Sequence, residues 1–72
     1  MTADAVLDAA ILAAHESGDA VALVDLYSQA ADAAPDLDTR CFFWTYAYIF
    51  ALELGLDAAD GLAAKLRGAG RL

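Results

Sequence analysis

The chain has 72 residues, a formal net charge of −7 from four Lys/Arg against eleven Asp/Glu, and an apolar share of 61%. That share exceeds the roughly 45–50% of ordinary soluble domains and excludes intrinsic disorder, which combines high charge with low hydrophobicity. The acidic balance disfavours nucleic acid, whose phosphates supply most of the affinity in such complexes, and a lone cysteine, Cys41, excludes a disulfide scaffold.

Alanine occurs nineteen times and leucine eleven times. Both are strong helix formers, and β-branched residues are scarce. No window alternates apolar and polar residues over strand length, so an all-α domain of four helices is expected. The first helix runs from about Ala3 to Ser17, with Thr2 as N-cap and Asp4 near the positive end of the dipole. Leu7, Ala10, Ile11 and Ala14 mark its buried face, and Gly18 ends it. Asp19 caps the second helix, which buries Leu23, Leu26, Tyr27, Ala30 and Ala34 and turns Asp25, Ser28 and Asp32 outward; Pro35 stops it.

The third helix extends from near Leu37 to Leu54, capped by Asp36 or Asp38 and closed by Gly55. Asp57 caps the fourth, with Asp60 three residues on as a weak capping box. Ala59, Leu62 and Leu66 face inward there. Gly61 weakens that helix by about 1 kcal/mol relative to alanine, and Gly68 and Gly70 loosen its end. Connections this short make successive helices antiparallel. One domain over 1–72 is expected: a hairpin at about 3–35, a second at about 36–68, and a frayed basic tail at 69–72.

The two hairpins repeat one pattern. At an offset of 37, Leu7 aligns with Trp44, Ala10 with Ala47, Ile11 with Tyr48, Ala14 with Ala51, Glu16 with Glu53 and Gly18 with Gly55. The second and fourth helices align at an offset of 39, placing Leu23 on Leu62 and Tyr27 on Leu66. The alanines let a facing helix approach closely, and the large neighbours fill the space between. On Gly18-Asp19 in the turn, then Leu23, Tyr27, Ala30 and Pro35, with Trp44, Tyr48 and Ala51 in the second unit, the chain resembles the tetratricopeptide repeat, a helix–turn–helix unit of about 34 residues. Its units are longer, Tyr48 stands where that family has a small residue, and the second unit lacks the closing proline. The resemblance implies protein–protein binding through a face lined by the first helix of each hairpin.

The third helix is apolar almost all round. Six of seven aromatics fall between Phe42 and Phe50. A helix apolar on every side is normally buried on every side, yet three short neighbours in so small a domain cannot cover it. Large uncovered apolar patches are interaction surfaces, and small scaffolds usually need help beyond their own core. The expected contact residues are Phe42, Phe43, Tyr46, Ile49 and Phe50, with Trp44 and Tyr48 packed inside. The expected role is a non-catalytic interaction or assembly module, homodimeric through residues 37–54. The alternatives are an accessory subunit whose partner covers that helix, and a small-ligand binder using the aromatic cluster.

No motif for catalysis, phosphate or metal is present, so no catalytic residue, metal or cofactor is expected. His15 falls on a polar face with Asp4 and Asp8 and complements the dipole at the end of its helix. Cys41 reads as a packed thiol. A ligand pocket would have to draw its polar groups from Tyr46, Tyr48, Thr45, Cys41 and His15. Lys65, Arg67 and Arg71 at the end of the fourth helix suit its dipole, or grip an acidic surface of a second subunit. The apolar run from Cys41 to Leu52 is too short to span a bilayer. With no base before Arg40 a secretory leader is not expected, so the expected location is cytoplasmic.

Overall fold

In a computed structural model, which describes residues 3–72, the alanine–leucine background folds into four helices and no strands among those residues. They are α1 (Ala3–Ser17), α2 (Ala20–Ala33), α3 (Leu37–Leu54) and α4 (Ala58–Gly68). Thr2, the expected cap of α1, lies outside the described residues. Side-chain caps open α2 and α3: Ala22 N donates to Asp19 Oδ1 at 3.1 Å, and Thr39 N donates to Asp36 Oδ1 at 2.8 Å. Asp36 therefore caps α3, and Asp38 stands in its first turn. Thr39 Oγ1 donates to the second Asp36 oxygen. The Thr39 backbone bond first, then its hydroxyl bond, hold the Asp36 carboxyl below its ordinary value, with a smaller effect of Arg40.

Asp57 corrects the expectation at α4. Its backbone is helical, at φ −61 and ψ −26, and its side chain makes no capping bond. A side-chain cap needs a non-helical backbone at that position. The Asp57–Asp60 pair meets only through the backbone, Asp60 N donating to Asp57 O at 3.0 Å, so no capping box forms.

Three helices end alike. Asp19 N donates to Ala14 O at 2.9 Å and Gly18 N to His15 O at 3.2 Å. Leu56 N donates to Ala51 O at 2.9 Å and Gly55 N to Leu52 O at 3.1 Å. Arg71 N donates to Leu66 O at 2.8 Å and Gly70 N to Arg67 O at 3.0 Å. This paired bonding around a left-handed glycine is the Schellman motif. Ala14 and Ala51 hold the same place in it, so the repeat at offset 37 is a repeat of structure. Gly68 is the last residue of α4, and Gly70 supplies the cap beyond it.

Backbone contacts join α1 to α2, α2 to α3 and α3 to α4, and no other pair of helices. The helices lie side by side in one layer with Cα extents of 33 × 28 × 12 Å. At α3, Val24 of α2 and Ala59 and Leu62 of α4 cluster with Ala47 and Ala51. Those two alanines and Ala31 are wholly enclosed, at 0% exposure, whereas no large side chain among the described residues is below 2%. With α2 as its only neighbour, α1 buries Ala14 and leaves Leu7, Ala10 and Ile11 half-covered. No helix among the described residues is long and apolar enough to cross a membrane.

Two glycine substitutions have opposite signs. A Cβ at Gly55 or at Gly61 meets nothing within 4 Å, so backbone preference alone decides the outcome. Gly55 sits at φ 66, and Gly55→Ala lowers stability by about 1–2 kcal/mol through left-handed strain. Gly61 lies within α4, and Gly61→Ala raises stability by roughly 0.5–1 kcal/mol. Urea unfolding followed by circular dichroism reads both.

Candidate interaction surface

Because α3 has a helix on each side, its small residues decide which way it faces. Its buried residues are Cys41, Ala47 and Ala51, and the two alanines pack in one cluster with side chains of α2 and α4. Four of its larger side chains stay exposed. Phe42 is 55% exposed, Tyr46 40%, Ile49 44% and Leu52 54%. Of the other expected contact residues, Phe43 and Phe50 are half-buried along the α2 side. Trp44 and Tyr48 are partly covered against the alanine cluster.

The outward rings form one connected face. Tyr27 of α2 is its hub, stacked against Tyr46 at 5.3 Å and 18° and against Phe50 at 6.1 Å and 14°, with Phe43 at 6.2 Å. Phe42 meets Phe43 edge-on at 5.5 Å and Tyr46 at 5.0 Å. On the far side, His15 of α1 sets its ring 5.9 Å from Tyr27 and 6.0 Å from Phe50. His15 Nε2 and the Tyr27 hydroxyl share a 2.9 Å hydrogen bond.

The face therefore spans three helices. Tyr27 is half-buried and packs against the alanine cluster, as expected of the inward side of α2, while His15, expected on a solvated face, is exposed but tied to Tyr27. The signal available was the two-residue turn at Gly18-Asp19, which folds the end of α1 back along the first two turns of α2. Burial first, and the neighbouring Tyr46 second, push the Tyr27 phenol above its ordinary value, so it is neutral across the physiological range.

The polar groups proposed for a ligand pocket do not converge. Cys41 is buried, and the Thr45 hydroxyl donates to the Cys41 carbonyl at 2.7 Å. A groove of about 250 Å³ opens instead where α1 and α3 flank the end of α2, lined by Leu7, Asp8, Ala30, Ala33, Ala34, Pro35, Thr39 and Phe43. None of Tyr46, Tyr48, Thr45, Cys41 and His15 lines it. Among the described residues, no group of three His, Cys, Asp or Glu side chains is placed to hold a metal ion. Two of the terminal cations act within the chain: Arg71 pairs with Asp38 of α3, and Lys65 Nζ lies 5.6 Å from the Trp44 ring centre. They tie α4 to α3.

Comparison of the chain with family models, with curated proteins and with solved structures found no match in any of the three.

The raised Tyr27 value has a definite sign. The unfolded chain ionises this phenol near its ordinary value of 10.0, before the folded chain does. Stability therefore holds below pH 10 and falls as the pH climbs through the folded value. Urea midpoints measured from pH 8 to 11.5 should show this fall in the native protein and a smaller one in Tyr27→Phe.

Proposed function

We propose that this protein is a non-catalytic assembly module that homodimerises through the aromatic face of α3, α2 and α1. The observation that carries the proposal is the connected ring cluster from Phe42 to His15, with Phe42, Tyr46 and Ile49 exposed on it. Exposed apolar patches of this kind mark association surfaces. Domains ordinarily consist of two packed layers, and this one has a single layer whose fully enclosed residues are alanines. A second copy laid face to face supplies the missing layer. The Cα extents of the molecule across its broad side, 33 × 28 Å, leave room for the roughly 800 Å² each partner contributes to a standard interface.

The hairpin unit is tetratricopeptide-like in this account, supported by the two Schellman turns at Gly18 and Gly55. The likeness lies in the unit and not in the stacking, since α1 and α3 make no backbone contact. A cytoplasmic location suits the free, buried thiol of Cys41.

The net charge of −7 supports a second reading, in which a basic protein partner covers the same face. Salt separates the two: screening tightens a dimer of like-charged chains and weakens an acidic–basic complex. Light scattering across a hundredfold dilution should give about 15 kDa, twice the 7.5 kDa of one chain, with dissociation suppressed by added salt. Tyr46→Asp places an unpaired charge in the seam and should raise Kd by on the order of a hundredfold or more. A 7.5 kDa species at every concentration contradicts the homodimer.

A further inference from the structure

The groove beside the aromatic face has a shape that the ring cluster explains. Along α2, Tyr27, Ala30 and Ala34 follow at i, i+3 and i+7 on one side of the helix. Where Tyr27 stands, the valley between α1 and α3 is filled by its ring with those of His15 and Phe50. Beyond it, Ala30, Ala33 and Ala34 floor the same valley and leave it open, with Leu7 and Asp8 on one wall and Thr39 and Phe43 on the other.

Its volume of about 250 Å³ falls below the roughly 300 Å³ at which pockets for drug-sized ligands begin. It exceeds the approximately 150 Å³ apolar cavity known to take a benzene ring. The groove is sized for one side chain.

Resting on the homodimer proposed above, we infer that the groove is the socket for Phe42 of a second copy, the two protomers exchanging rings across a two-fold axis. Phe42 is the most exposed aromatic, at 55%, and packs edge-on against Phe43, which lines the groove. Knob and socket thus lie side by side on one face, which is the arrangement a two-fold axis passing between them satisfies twice at once. No charged residue occurs from Cys41 to Leu52, so the α3 part of the seam brings no like charges together. The Asp8 carboxylate at the rim suits the positive edge of an entering ring.

The test is a double-mutant cycle on dimer dissociation, read by light scattering or sedimentation. Phe42→Ala removes the knob. Ala33→Leu fills the socket from an exposed helical position, so folding is preserved and circular dichroism verifies it. Each variant should raise Kd at least tenfold, and the double variant should add little to the larger single effect, because both remove one contact. A dimer whose Kd neither substitution changes, or whose two effects multiply, overturns the ring exchange and leaves the homodimer standing. A chain monomeric at every concentration overturns both.

Discussion

The approach of two helices to the same pair of alanines is the constraint on which the rest of the structure depends. Ala47 and Ala51 have no side chain beyond Cβ, so Val24 from α2 and Ala59 and Leu62 from α4 close over them completely. Close-packed interiors leave no room for a ring at such a point. A large residue at either position would push both neighbours away. Phe42, Tyr46 and Ile49 are thereby committed to the other side, while Trp44, Tyr48 and Phe50 pack against the cluster.

From that commitment the surface follows. A helix flanked on two sides and packed through its alanines presents its remaining arc to solvent, and in this chain that arc carries Phe42, Tyr46 and Ile49. Tyr27 and His15 extend the arc across α2 and α1, because the tight turn at Gly18 returns the chain close alongside itself. At the opposite edge, the Arg71–Asp38 pair and Lys65 over Trp44 join α4 and its tail to α3. The molecule is well secured at its α4 edge and uncovered on its aromatic face.

What could be read in the sequence was local. Gly18 and Gly55 after alanine-rich runs, Asp19 and Asp36 before them, and Pro35 between two helices are punctuation that acts within a turn, and the helices start and stop there. Asp57 resembled the same signal but failed, because the chain entering α4 is already helical at that residue. The outward side of α3 was not legible from periodicity, since apolar residues occur all round it. The alanine pairs of the repeat held that information, as they marked where neighbours come close. The Tyr27–His15 bond was beyond a one-helix reading, because it joins two helix faces whose relative rotation is set only by packing.

The central claim, that two copies of this chain meet through the face opposite Ala47 and Ala51, is tested most directly by isotope-filtered nuclear Overhauser spectroscopy. Labelled and unlabelled protein would be mixed, so that only contacts between different copies are recorded. Intermolecular cross-peaks are expected from Phe42, Tyr46 and Ile49, and none from Ala47 or Ala51. Intermolecular cross-peaks confined to α4, or none at concentrations where the mixed sample contains dimers, would contradict it.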